Sequence, residues 1–165
     1  MGTILIGLGE LAVTRTPGDT IRTLGLGSCI AVVLSHAPTG AVGMVHVVLP
    51  ESSTNLQKAR DLPGYFADTG IDALLGRMNE TTHSTGRYLV KLAGGAAVLS
   101  NANGTLTDTM NIGKRNILAV KKALWKKGLG SIAEDVGGDS SRSVSIEQGQ
   151  SAVEIRLGSV VVKTL

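Results

Sequence analysis

The sequence predicts an α+β domain, and three observations carry that assignment. Many short β-rich runs are scattered along its 165 residues. Only two stretches sustain helical periodicity, and strands and helices do not alternate as regular βαβ units. The length fits a single domain over residues 1–165, large enough to bury a core without disulfides or metals. Hydrophobic residues make up 42% against 18% charged, which excludes a disordered chain. Aromatics reach only 2%, so the core has to be built from Val, Ile, Leu and Ala.

Residues 3–14 and 20–24 are predicted as strands, separated by the turn chemistry of Thr16-Pro17-Gly18-Asp19. Residues 29–35 and 41–49 are two further β-rich runs flanking His36-Ala-Pro-Thr-Gly40, the strongest hairpin signal in the chain. Segment 63–79 is predicted helical because Ala67, Ile71, Leu74, Leu75 and Met78 form one apolar stripe, with Pro63 near the first turn. A strand is predicted over 88–93, running into Gly94-Gly95, and 100–109 is polar and loop-like. A second helix is expected over about 112–127. Ile117, Val120, Leu124 and Trp125 would point inward, Asn111 would be its N-cap and Gly128 its stop. The remainder is β-like: 132–134, 142–147, a Gln148-Gly149 turn, 153–157 and 160–163.

Several function classes recede on these grounds. The start of the chain has no basic n-region, Glu10 interrupts its first apolar stretch, and no apolar run approaches the ~20 residues of a membrane span. A cytoplasmic protein without membrane insertion is expected. Net charge is +3, and six of the 16 Lys and Arg fall within 114–127. That cluster fits first the solvated face of a helix, then a docking surface for an acidic protein. Nucleic acid fits least, because the basic stretch is short and offers only Trp125 for stacking. A metal site is not expected, since His36 and His83 have no ligand spacing with Cys29 or His46.

Chemistry concentrates at the lone cysteine. Cys29 ends the glycine-rich turn Gly25-Leu26-Gly27-Ser28, and His46 lies in the second arm of the predicted hairpin. With a loop of His36 to Thr39, Ser35 faces Gly40 and Cys29 lies directly opposite His46, their Cβ atoms roughly 4.5–5.5 Å apart. A loop one residue shorter would place the two side chains on opposite faces. His46 would take the thiol proton and later return it to a leaving group, and Thr23 supplies a hydroxyl to orient the ring. The thiol is expected to be accessible, its pKa held below the free value of ~8.5 by an ion pair with His46. Backbone N–H groups around Gly27 and Ser28 are candidates for stabilising an oxyanion. Taken alone, these residues also fit blander roles: a buried small hydrophobe, a core histidine and an ordinary strand threonine.

Five motifs in order narrow the choice: Thr23-Leu-Gly-Leu-Gly-Ser-Cys29, His46-Val-Val-Leu-Pro50, Leu92-Ala-Gly-Gly-Ala96, Asn111-Ile-Gly-Lys-Arg-Asn116 and Ala133-Glu-Asp-Val-Gly-Gly138. This set resembles the bacterial chemoreceptor glutamine deamidases of the CheD family, from about Leu5 to Val162. Val136 stands where a polar residue such as threonine is common. The resemblance implies a sandwich of mixed β-sheets with helices packed outside, similar to the catalytic domains of deamidating toxins. It implies a protein-glutamine glutaminase with Cys29 as nucleophile, His46 as base and Thr23 as orienter, acting without a cofactor. Its substrates would be glutamines of methyl-accepting chemotaxis receptors, converted to glutamate through a thioester. A CheC-type chemotaxis phosphatase is the further partner implied. Two other functions stay open: a non-catalytic adaptor working through that phosphatase, and a cysteine hydrolase acting on another amide.

Overall fold

A computed structural model describes residues 1–85, 87–97 and 108–165. Ten strands and three α-helices are found among them: β1 (Thr3–Ile6), β2 (Leu11–Thr14), β3 (Thr20–Leu26), β4 (Ile30–His36), β5 (Ala41–Val47), α1 (Leu56–Asp61), α2 (Ala67–Thr82), β6 (Leu89–Gly94), α3 (Asp108–Lys126), β7 (Ser131–Val136), β8 (Arg142–Glu147), β9 (Val153–Leu157) and β10 (Val160–Thr164). They form two mixed five-stranded sheets, in the orders β1-β3-β8-β9-β10 and β2-β5-β4-β6-β7. The α+β arrangement expected from the sequence is therefore found.

The layers follow from where apolar side chains point. One face of β4 and β5, carrying Ala31, Val33, Val42 and Met44, packs against Ile21, Val144, Ile146 and Ile155 of the first sheet. The opposite face, carrying Val32, Leu34, Val45 and Val47, is covered by Ile71, Leu74 and Met78 of α2 and by Val120 and Leu124 of α3. Every residue of β4 and β5 is buried. That double burial explains why both strands read as continuous apolar runs rather than alternating ones. Helix α2 comes close to β5 at Gly43, where a Cβ would lie 2.9 Å from Met78 Sδ and 3.0 Å from Leu74 Cδ1.

Several local expectations change. The single run predicted over 3–14 is two strands in different sheets, because the chain turns at residues 7–10 and the Glu10 carboxylate accepts from the Gly7 N–H at 2.7 Å. Helix α2 begins at Ala67, since Pro63–Tyr65 forms a separate 3-10 turn, and α1 was not predicted. Helix α3 starts at Asp108, which places Asn111 inside the helix and not at its N-cap. Trp125 points outward and is 78% exposed, while Val120 and Leu124 are buried as expected. Gly128, at φ +72°, closes the helix: its N–H donates to Trp125 O, and the Leu129 N–H donates to Leu124 O. Most of the polar segment 100–109 lies outside the described residues.

Candidate active site

Thr23 and His46 meet at the interface between the two sheets, and Cys29 is buried in the same inter-sheet layer. Thr23 is on the inner face of β3 and fully buried, His46 is on β5 at 2% exposure, and Cys29 immediately precedes β4 at 9%. The hairpin turn has four residues as expected, but it spans Ala37 to Gly40, one residue later. The ladder therefore pairs Ser35 with Val42 and His46 with Ala31, not Cys29 with His46. This displaces the register by two positions, which preserves the face. Cys29 and His46 thus share the inter-sheet face as diagonal neighbours instead of direct partners.

The hydrogen bonds around Thr23 set the state of the imidazole. Thr23 Oγ1 donates to the Ile6 carbonyl at 2.9 Å and lies 2.7 Å from His46 Nδ1. A hydroxyl has one hydrogen, and donating it to Ile6 satisfies both contacts only if Nδ1 carries a proton and donates to Oγ1. That leaves the lone pair on Nε2, the tautomer a general base needs. Nε2 is buried and has no hydrogen-bond partner among the described residues. The His46 backbone is held too: its N–H donates to Glu10 O at 3.0 Å, and its carbonyl accepts from the Gly9 N–H at 2.9 Å.

Burial corrects the expected ion pair. Loss of solvent pushes the Cys29 thiol up to about 11, against a smaller opposing effect of its own backbone N–H. The same loss lowers His46 to about 4. Burial thus favours the neutral form of both groups near neutral pH, and the thiol is buried rather than accessible.

The turn that leads into Cys29 is fixed from outside by three donors. The Gly27 carbonyl accepts from the Ala96 N–H at 2.7 Å, and the Cys29 carbonyl accepts from the Gly95 N–H at 2.8 Å. The Ser28 carbonyl accepts from Asn116 Nδ2 of α3 at 2.9 Å. Gly94, at φ +114°, is where the backbones close up, because a Cβ there would sit 2.1 Å from Cys29 O. Gly113 does the same one layer out, since its Cβ would meet Gly95 O at 2.7 Å. The N–H groups of Gly27, Ser28 and Cys29 have no backbone acceptor among the described residues. Gly27 and Ser28 thus lie in this turn, and the sequence alone does not single out Asn116, whose side chain holds it. No group of three or more His, Cys, Asp or Glu able to hold a metal occurs among the described residues.

The remaining motifs brace this turn. The Gly137 N–H donates to Gly94 O and the Ala97 N–H donates to Gly138 O, both at 2.8 Å. Asp135 receives Arg142 Nη1 at 2.8 Å and Lys163 Nζ at 3.2 Å, which fixes the start of that loop. The side chain of Val136 packs against the core beneath the helices.

A buried thiol, an imidazole with a free Nε2 and a hydroxyl on its Nδ1 lie between two mixed sheets, the residue types that nucleophilic chemistry at a carbonyl requires. Residues 48–157 match the family described as CheD chemotactic sensory transduction. The chain is 48% identical over 157 residues to a probable chemoreceptor glutamine deamidase CheD of Syntrophotalea carbinolica, covering 94% of each protein. It is 42% identical to the chemoreceptor glutamine deamidase CheD of Thermotoga maritima, covering 88% of this chain and 87% of that one. The corresponding protein of Halalkalibacterium halodurans is 37% identical, with 93% and 92% covered. The chain belongs to the CheD family.

Proposed function

We propose that this protein is a protein-glutamine glutaminase that deamidates glutamines of chemotaxis receptors to glutamate, with Cys29 as nucleophile. The observation that carries the proposal is the relay Ile6 O, Thr23 Oγ1, His46 Nδ1, which leaves Nε2 as an unpaired base on the face shared with Cys29. The deamidase names of the relatives supply the substrate class.

The chemistry starts from neutral partners. Cys29 Sγ attacks the side-chain carbonyl carbon of glutamine while its proton passes to His46 Nε2. The negative charge that develops on the carbonyl oxygen is taken by backbone N–H groups of the Gly27-Ser28-Cys29 turn. One such donor is typically worth roughly 2.7–4 kcal/mol in the barrier. The C–N bond then breaks, and the proton on Nε2 leaves with ammonia. Water attacks the thioester, gives its proton to Nε2, and the C–S bond breaks to release glutamate and restore the thiol. A single domain over 1–165 contains every residue these steps use. A receptor substrate puts the protein in the cytoplasm, beside the receptors' signalling helices.

Incubation of a purified receptor cytoplasmic fragment with the protein, followed by mass spectrometry, tests this directly. Each deamidated glutamine adds about 1 Da, and Cys29→Ala or His46→Ala should remove nearly all of it, the double variant being little worse than either single one. Wild-type turnover in His46→Ala would refute the mechanism.

A second reading is favoured by a different observation. Leu118 and Trp125, seven residues apart on α3, are 67% and 78% exposed. That apolar pair suits docking to a CheC-type phosphatase, which an adaptor with an idle thiol would share with an active enzyme. Phosphatase binding by a protein that leaves every receptor glutamine unchanged would favour the adaptor.

A further inference from the structure

We propose that Asn116 is a positioning residue for the oxyanion site, an inference that rests on the cysteine-dependent deamidation proposed above. Asn116 is fully buried on α3, and both hydrogens of its Nδ2 are committed. One goes to Ser28 O and the other to Val48 O, each at 2.9 Å. Ser28 directly precedes the nucleophile, and Val48 lies two residues beyond the base. One amide nitrogen therefore ties together the point where the chain enters β4 after Cys29 and the point where it leaves β5 after His46, beyond the last ladder pair, Ile30 with Val47.

The consequence follows from peptide planarity. In a trans peptide the carbonyl and the next N–H point in opposite directions. Holding Ser28 O against Asn116 aims the Cys29 N–H away from α3, and holding Gly27 O against the Ala96 N–H does the same for Ser28. Asn116 thus fixes the plane that presents one of the N–H groups available to an oxyanion, without touching substrate itself.

The amide orientation is unambiguous. Turned over, it would set Oδ1 against two carbonyl oxygens. As it stands, Oδ1 is buried with no partner among the described residues. A side chain kept only to fill space would not carry an unsatisfied acceptor there, since an apolar group of that size would avoid the desolvation cost. The approach needed is also built in, as Gly113, one turn earlier on α3, has no room for a Cβ against Gly95.

The test separates oxyanion placement from thiol reactivity. Alkylation of Cys29 by iodoacetamide displaces iodide at a saturated carbon and develops no oxyanion, whereas deamidation does. Asn116→Ala is expected to lower kcat for a receptor fragment on the order of 10–100-fold with KM within about twofold, while the alkylation rate and its pH profile stay within about twofold of wild type. Asn116→Ser, which leaves a smaller cavity, should behave alike. Deamidation at the wild-type rate, or deamidation and alkylation falling in parallel, would overturn the proposal. So would failure of both variants to fold, which would make the residue a general support of the structure. Cys29→Ala is the control: if it still deamidates, the parent mechanism fails and this inference with it. If it is inactive while both Asn116 variants turn over normally, only the role of Asn116 is lost.

Discussion

At the residue scale, Thr23 does more than fill a strand position. Its hydroxyl is the only group with which His46 Nδ1 bonds among the described residues, and it is itself anchored to Ile6 O. Thr23→Val keeps the shape but removes the acceptor, leaving the imidazole free to rotate or to take the other tautomer. It should reduce kcat by a factor of ~10 to 100 with little change in melting temperature, less than His46→Ala, because water can stand in for a missing orienter. Thr23→Ser retains the hydroxyl and should recover most of the rate. Equal losses in the valine and serine variants would mean that packing, not the hydrogen bond, is what Thr23 supplies. Cys29 offers an equally sharp measurement. With the thiol pushed up to about 11, its alkylation rate should keep rising with pH beyond the ~8.5 of a free cysteine. A plateau reached near neutrality would instead indicate the thiolate–imidazolium pair.

At the scale of elements, the glycines of β6 and α3 decide whether the turn before Cys29 can form. Gly94→Ala would force a Cβ to 2.1 Å from Cys29 O at a φ of +114° that L residues rarely adopt. The strand or the turn has to give way, so loss of activity and a melting temperature several degrees lower are expected, whereas Gly76→Ala on the open side of α2, with nothing within 4 Å of its Cβ, should be neutral or mildly stabilising. An unperturbed, active Gly94→Ala would mean that the turn is not locked there. The same elements show what the sequence could and could not disclose. β4 and β5 were legible because burial on both faces leaves an unbroken apolar run, and a register displaced by two keeps every side chain on its face. Cys29 and His46 therefore share a face even though they are not the direct partners expected. The split of residues 3–14 was hidden because both halves are apolar and carry no proline between them. Helix α1 has only Ala59 buried, so it lacks the apolar stripe that periodicity detects. Trp125 was placed inward by its nearness to Leu124, yet one residue along a helix is a turn of about 100° away from the core. Asn116 carries no local signal at all, because its partners lie 88 and 68 residues away in sequence. The basic cluster of α3 resolves only partly. Lys121 pairs with Glu134 and Lys127 with Asp72, while the groove beside Lys122 and Lys126 also holds Glu51 and Asp68. This face is mixed in charge, closer to a solvated helix than to a uniformly basic docking surface.

At the scale of the whole molecule, placing the site between the two sheets makes its protonation state part of the folding equilibrium. His46 binds a proton near 6.5 once unfolded but only at about 4 when folded. Between those values the unfolded chain holds the extra proton, so stability falls as the pH drops from 6.5 toward 4. Cys29 works in the opposite range. Its ordinary value of 9.0 rises to about 11 in the fold, so the unfolded chain loses its proton first and stability falls as the pH rises from 9 toward 11. Both groups are neutral in both states from about 6.5 to 9, and there they add no slope. Urea midpoints measured across this range for wild type, His46→Gln and Cys29→Ser would isolate each contribution, since background carboxylates and lysines titrate alike in all three proteins. The glutamine variant should flatten the acid limb while leaving the alkaline limb in place, and the serine variant should do the reverse. Limbs that coincide with wild type in both variants would show that neither group is held neutral by burial. Limbs displaced the other way, with wild type gaining stability relative to His46→Gln as the pH falls and relative to Cys29→Ser as it rises, would instead indicate a charged pair, with the thiol already deprotonated before any substrate arrives.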